Sequence, residues 1–581
     1  MGESHNYQAF LTGVREIGRQ SIVFIALWVL LQFACVKAWA GPTTPYQAEQ
    51  VVAGWLASDT HPLGTAIGTH VTKTEIFTDD NGEPIYYVVY LWPSGFVIVS
   101  ADESDEPIIG FADDGTYDCS PADPLGALVS RDLRGRAASR KAHSRPHLEA
   151  PFGRVGLAPP FSPQRKWTRF IRLAETSEDE LVLTSMPSVS DVRIAPLLQS
   201  KWAQGDVCEQ HCFNYYTPDY YACGCVATAM AQLMRYHQHP QAGIGVRSFA
   251  IQVMGRPQTA STRGGNGSGG PYYWSDMTLV PDCQTTGTQR AAIGTLCYDA
   301  GIAVNVDYGP DGSSSDVLKA RNALINVFRY SNLVEGYNRD GDIGPDLLTM
   351  INPNLDSGHP VILGVWHEES GHAVLCDGYG YSAATLYHHL NMGWAGVDDA
   401  WYNLPNIDAS SSFTSVAVCL YNIFASGTGE IISGRITDIS GKPISEVAVI
   451  AASGGSVYTA TTNAQGIYAM AKIPSAATYT VGAAKIGYLF GEQTVTTGRS
   501  RDRSGTSGNR WQIDLAGTVA PDLDGDGQVN TVDFAIFASA WLTAAGDAGW
   551  NPYCDISSPA DNFIDTLDLV VFADNWLVGI K

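Results

Sequence analysis

Charge is scarce in this chain. Asp, Glu, Lys and Arg make up 16% of its 581 residues, and bases are the rarer sign, 35 against 59 acids. The formal net charge of −24 argues against non-specific nucleic-acid binding, which needs positive surface to neutralise phosphates. It suits a soluble protein that stays dispersed. A hydrophobic content of 45% excludes a wholly disordered chain. Long apolar runs are missing too. The run Ile22 to Leu31 follows Arg15 and Arg19 and is shorter than the ~20 apolar residues of a membrane span. Small residues follow in Ala38-Trp39-Ala40, so an export signal is expected over 1–40, with no membrane segment after its cleavage and a secreted, extracellular or cell-surface product. An HExxH motif is absent, since His367-Glu368 does not continue into one, and no second Cys/His pair stands at zinc-ligand spacing.

What is present begins with eleven cysteines, a number that fits an exported protein. Cys208, Cys212 and Cys223 cluster just before Cys225, a spacing that admits a local disulfide. Tyr46 to Leu56 reads as a short amphipathic helix. Ile85–Leu91 and Gly95–Ser100 read as two strands joined by a turn, being rich in β-branched and aromatic residues. The basic run from Arg131 through Arg134, Arg136, Arg140 and Lys141 to Arg145 reads as a solvated linker. From Ile194 to Ala425 the chain is rich in Tyr, Trp and Gly. After Gly429, short alternating runs such as Ile431–Ile436 and Val447–Ile450 around a Gly441-Lys442-Pro443 turn predict a small all-β sandwich.

The most informative stretch is Gly224 to Met234. Val226, Ala229, Met230, Leu233 and Met234 recur at helical spacing, so the stretch predicts a helix with one buried face, bounded by Pro240. Cys225 falls at its start, where unpaired N–H groups and the helix dipole favour a thiolate. Cys223 lies outside the periodic run and is the weaker candidate. A thiolate needs a proton acceptor and a group that orients it. His372 stands at the start of a short buried strand, Gly371–Gly378. Asn391 ends another, Leu386–Asn391, and offers a partner for the far imidazole nitrogen. Upstream, Gln204 offers a side-chain amide for an oxyanion. His237 and His239 close the cysteine-bearing helix as ordinary residues, and His388 and His389 read as strand residues or a metal pair lacking a carboxylate at ligand spacing.

At these residues the sequence resembles the streptopain family of papain-like cysteine peptidases. Gly224–Pro240, Ser370-Gly371-His372-Ala373 with Asp377-Gly378, and His389–Gly396 carry the likeness. Asp307–Pro310 with Ser313–Ser315, and Ala195–Leu198, add to it. The resemblance implies an α+β papain-like fold, with Cys225, His372, Asn391 and Gln204 as catalytic residues and Gly371 and Trp394 in the substrate-binding wall. It implies protein or peptide substrates, hydrolysis through an acyl-enzyme, and no cofactor for catalysis. Gly95–Asp102 resembles the family's propeptide, which implies a zymogen. Three positions depart from the family pattern. Met392 stands where a tryptophan shields the Asn–His bond, and Ala203 and Ala395 stand where glycines are usual. Met392 keeps alive a second class, a peptidase fold serving as a binding protein. The same Cys–His pair also serves an acyltransferase.

The region from Gly517 carries ten Asp and one base, Lys581, and repeats itself: Asp533–Ala538 leads to Trp541-Leu542, and Asp568–Ala573 leads to Trp576-Leu577. Asp522, Asp524, Asp526, Gln528, Asn530 and Asp533 occupy positions 1, 3, 5, 7, 9 and 12 of a calcium loop, with Gly527 at the turn. Asp555, Asp561, Asp565 and Asp568 form a less regular second copy. This tail resembles a type I dockerin, which implies bound Ca2+ and a cohesin-type partner. The preceding β region resembles a carboxypeptidase regulatory-like module, implying a spacer or adhesion role. The expected division is signal 1–40, α+β propeptide and linker 41–190, peptidase domain 191–426, β-sandwich 427–516 and small α-helical dockerin-like domain 517–581.

Overall fold

A computed structural model describes residues 42–143, 162–175, 190–338, 343–367, 370–404, 416–557 and 561–577. The expected signal 1–40 lies outside the described residues. So does Lys581.

The strands of the N-terminal region and most of those of the central domain form one sheet. His70–Thr78, Pro84–Trp92, Phe96–Ser100 and Ile108–Ala112 run in sequence order. The sheet then continues through Ala400–Tyr402, Thr385–Asn391, Ser370–Ser382, Val361–His367, Val416–Phe424 and Asn332–Tyr337, and Ser190–Ile194 pairs with Ser370–Ser382 to complete 11 strands. The junction is antiparallel, with Ala400 opposite Ala112, Trp401 opposite Phe111 and Tyr402 opposite Gly110. Strands such as Phe96–Ser100 and Val416–Phe424 are buried along their whole length, so they read as continuous apolar runs rather than alternating ones. The helix expected near Tyr46–Leu56 spans Pro45–Ser58, started by a capping box from Thr44 and Gln47.

The basic run is not a linker. It lies mostly in a helix, Pro124–His143, whose Leu125, Leu128, Val129 and Leu133 are buried against the sheet. The apolar positions preceding and interleaving the bases give it an inner face. Arg136 forks onto buried Asp132 at 2.9 and 2.8 Å, and its Nη2 also donates to the Asn403 carbonyl at 2.9 Å. Tyr402 Oη donates to the same Asp132 at 2.6 Å. A charge pattern alone did not reveal that one base has a buried acid one helical turn away.

The β-sandwich expectation holds. Ile467–Ile473, Glu430–Asp438, Leu515–Val519 and Tyr488–Phe490 form one sheet, and Ser456–Thr461, Ala448–Ser453, Thr478–Ala484 and Gln493–Thr496 form the other. It is docked on the central domain rather than freely tethered. Arg435 grips Asp191 through two nitrogens at 2.7 and 3.1 Å, and Ser433 Oγ donates to Asp356 at 2.7 Å. Asp356, also held by Tyr379 Oη, is pushed up to about 7 by burial. Past the sandwich come two short helices, Thr531–Ser539 and Thr566–Asp574, each opened by a capping box. Among the described residues no helix is long and apolar enough to cross a membrane.

Candidate active site

The helix that carries Cys225 spans Cys225–His237. Val226 to Met234 are buried, as the helical spacing predicts. Gly224 precedes it at φ +92°, and a Cβ there would sit 2.9 Å from the Ser313 carbonyl oxygen, so the tight entry needs glycine. Cys225 is half-buried. Burial pushes its thiol up, while the backbone N–H groups of Ala373 and Val226 favour the thiolate and pull the other way. The contact with Ala373 sets the thiol beside the residue that follows His372. Cys223 is fully buried, contacts Thr228 Oγ1 at 3.2 Å and hydrogen-bonds Cys297.

His372 lies near the start of the strand Ser370–Ser382, whose partner Val361–His367 pairs Val365 with His372. Its Nε2 donates to the Pro121 carbonyl at 3.0 Å. Pro121 belongs to the N-terminal region, so the imidazole is engaged by that region. Burial lowers the His372 pKa, and the Pro121 bond opposes the shift.

Asn391 ends its strand in the described site, but its bonds run elsewhere than to His372. Its Oδ1 accepts from Gln232 Nε2 at 2.8 Å and the Gly393 amide at 3.1 Å, and its Nδ2 donates to the Ser200 carbonyl at 3.2 Å and Asp399 at 3.3 Å. Gln204 is drawn toward the cysteine by its backbone: the Cys223 amide donates to the Gln204 carbonyl at 2.8 Å. Trp394 is half-buried on the neighbouring loop, where the Ala395 amide donates to the Trp202 carbonyl at 3.0 Å. Gly371 is exposed beside His372. Met392 is 1% exposed and packs with Leu390 and Cys376, and its amide donates to Asp399 at 2.8 Å.

Sequence reasoning gave no role to three participants. Gln232 is fully buried on the cysteine helix, and its signal was a polar residue on an otherwise apolar face. Asp377 pairs with His389 at 2.6 Å and accepts from the Leu198 amide at 2.9 Å. Pro121 had no sequence signal, because a carbonyl oxygen belongs to every residue. The expected local disulfide is also corrected. Cys208 pairs with Cys283, 75 residues away, and Cys212 and Cys223 are free. His388 and His389 are strand residues, with His388 Nε2 at 2.7 Å from Asn352 Oδ1.

In the acidic tail, one oxygen each from Asp522, Asp524 and Asp533 lies within 4.8 Å of the others. Asp533 Oδ1 accepts from the Leu523 and Asp524 amides, and Asp568 Oδ1 accepts from the Ile556 and Ser557 amides in the same way. Asn530 and Asp565 cap the following helices identically. The two copies therefore share a backbone design, with Ser557 standing where the first has Asp524. Asp526 Oδ1 accepts from the Gln528 amide, and Asp555 and Asp561 accept from the Asn562 and Phe563 amides.

Residues 202–402 match the model of the peptidase C10 family, residues 40–130 that of the Spi protease inhibitor, and residues 431–504 that of the carboxypeptidase regulatory-like domain. Streptopain of Streptococcus pyogenes is 25% identical over 334 residues, covering 56% of this chain and 75% of the relative. The thiol protease/hemagglutinin PrtT of Porphyromonas gingivalis is 26% identical over 386 residues, 64% of this chain and 40% of that protein. Among solved structures, a fragment of prointerpain A from Prevotella intermedia aligns with TM-score 0.43 and 20% identity over 61% of this chain and 98% of that one. These similarities support a streptopain-like cysteine peptidase, its residues 202–402 similar to the C10 family and preceded by a Spi-type propeptide.

Proposed function

We propose that the chain is an exported zymogen that hydrolyses peptide bonds through Cys225 and His372. The observation that carries this reading is the placement of Cys225 at a helix N-terminus, with its thiol against the Ala373 amide and His372 next door. In the full chain the Pro121 carbonyl occupies His372 Nε2. Nε2 carries the ring proton in that bond, so the lone pair that takes the Cys225 proton is on Nδ1, and removal of the propeptide releases the ring to present it. The thiolate then attacks the substrate carbonyl carbon, and the negative charge forming on its oxygen is held by the Cys225 amide and the Gln204 side chain. The imidazolium protonates the leaving amine as the C–N bond breaks, leaving a thioester. Water, deprotonated by His372, attacks the thioester and restores the thiol. Gly371 and Trp394 line the approach.

The Cys208–Cys283 disulfide supports export, because such bonds persist in oxidising compartments. At the other end, Asp522, Asp524 and Asp533 supply hard oxygen ligands suited to Ca2+, with Asp526, Gln528 and Asn530 completing the loop. Asp555, Asp561, Asp565 and Asp568 would hold a second ion. Val532, Phe534, Leu567 and Val570 are exposed on the paired helices and offer apolar surface to a cohesin-type partner.

The test is hydrolysis of a fluorogenic casein after limited proteolysis, with and without Cys225→Ala. Activity is expected in the native chain and at least ~1,000-fold less in the variant, the scale on which loss of a nucleophile is felt. Equal activity in both overturns the assignment.

A further inference from the structure

The cysteine helix, the oxyanion arm and the Asn391 loop are three separate pieces of chain, and one buried side chain on the helix bonds to the other two. Gln232 lies seven residues beyond Cys225, two turns along the same helix, and is 0% exposed. Its Oε1 accepts from Ser200 Oγ at 2.8 Å and from the Trp202 amide at 3.3 Å. Those residues lead directly into Ala203 and Gln204. Its Nε2 donates to Asn391 Oδ1 at 2.8 Å. Asn391 returns a bond to the Ser200 carbonyl, and the Ala395 amide closes on the Trp202 carbonyl at 3.0 Å. The ring of bonds is closed around Gln232.

We infer that Gln232 is a positioning residue of the peptidase, holding the Gln204 arm and the Asn391 loop in register with Cys225. This rests on the proposed roles of Cys225 and Gln204. The chemistry of the site selects glutamine. It needs an oxygen that accepts twice and, on the same planar group, a donor aimed at a carbonyl-type oxygen. An apolar side chain would orphan Ser200 Oγ and the Trp202 amide in a dry interior and leave Asn391 Oδ1 with the Gly393 amide alone. An ionised carboxylate would keep the acceptor and place a second negative oxygen against Asn391 Oδ1. Oxyanion stabilisation depends on donors fixed to within tenths of an ångström of the forming charge, so slack in this ring acts on turnover more than on substrate binding.

Gln232→Glu is the decisive variant because its donor is titratable. As the neutral acid its O–H replaces Nε2–H toward Asn391 and its carbonyl still accepts from Ser200 and Trp202. Ionised, it has no donor. The propeptide-free enzyme is assayed with a fluorogenic peptide, and the kcat ratio of variant to native enzyme is taken at each pH from 5 to 8. The ratio is expected to fall at least tenfold as pH rises, with KM changed less than threefold. Ser200→Ala, which removes one bond and no charge, is expected to lower kcat severalfold with KM unchanged. A ratio flat with pH, or an unaltered kcat in Ser200→Ala, overturns the inference. Failure of the underlying reading is distinct, since it shows as activity in Cys225→Ala.

Discussion

Ala395 shows how a single residue is constrained by the loop it occupies. It takes φ +59°, a left-handed conformation that favours glycine, and its amide still reaches the Trp202 carbonyl. An L-residue there carries a left-handed penalty of ~1–2 kcal/mol. Glycine removes the penalty but loses more entropy on folding, by ~0.5–1 kcal/mol. Ala395→Gly is therefore expected to stabilise the protein by about 0.5–1 kcal/mol in chemical denaturation, and a loss of stability would contradict this account of the loop. The opposite change at Gly224, to Ala, combines a left-handed φ with a 2.9 Å approach to the Ser313 carbonyl. It is expected to lower both the melting temperature and turnover. Cys225, His372 and their neighbouring motifs were legible in the sequence because helix period and strand boundaries mark them locally. The bonding of Asn391 was not. The sequence reading turned it toward His372, whereas Gln232, Ser200 and Asp399 take up its amide. Such choices are made between segments far apart in the chain, where spacing carries no signal.

Among the elements, the contrast lies between the helix Pro124–His143 and the loops of the tail. The helix was hidden because its bases dominate the composition, while its buried Leu125, Leu128, Val129 and Leu133 are spread among them. The acidic loops were legible because the spacing of their side chains is a local property. Their chemistry predicts a cation effect. Asp522 is pushed up by burial and also by Asp533 and Asp526, a repulsion that a divalent ion relieves. Millimolar Ca2+ is expected to raise the melting transition of the tail within the full chain. Asp522→Asn with Asp533→Asn is expected to abolish most of that shift. An unchanged transition with Ca2+ would count against the loop. Ser557, at the position of Asp524, removes one carboxylate from the second copy, so calorimetric titration is expected to resolve a weaker second event.

The whole molecule is organised around one sheet shared by the propeptide and the peptidase. Its junction at Ile108–Ala112 and Ala400–Tyr402 was out of reach of the sequence, since pairing partners nearly 300 residues apart leave no periodic trace. Beside that junction, acids meet acids. Asp398 is pushed up to about 7, first by burial and then by Asp123, Asp114, Asp399 and Asp118, and Asp123 is pushed up to about 6 by burial, with Asp118 adding to it. Asp398 Oδ1 and Asp123 Oδ2 are buried without hydrogen-bond partners. Lys201 supplies opposing charge to Asp114 and Asp399, as His389 does to Asp399. A carboxyl whose pKa is raised in the assembled state favours that state when protonated, so its stabilisation is full below about pH 4 and is lost as pH rises through 6 to 7. After cleavage of the linker, the propeptide is expected to stay bound at pH 5 and to dissociate faster at pH 8, measured by size-exclusion chromatography. Asp398→Asn should flatten that dependence, and faster release at pH 5 in the native chain would contradict it.

The central claim is that Cys225 is the nucleophile and that the propeptide keeps it silent. A peptidyl electrophile that labels active cysteines, followed by peptide mapping in a mass spectrometer, tests both halves at once. The account predicts no adduct on the full chain, and after propeptide removal a single adduct on the peptide containing Cys225, with hydrolysis lost in proportion. Equal labelling before and after removal, or an adduct on Cys223 or another thiol that tracks the loss of hydrolysis, would contradict it.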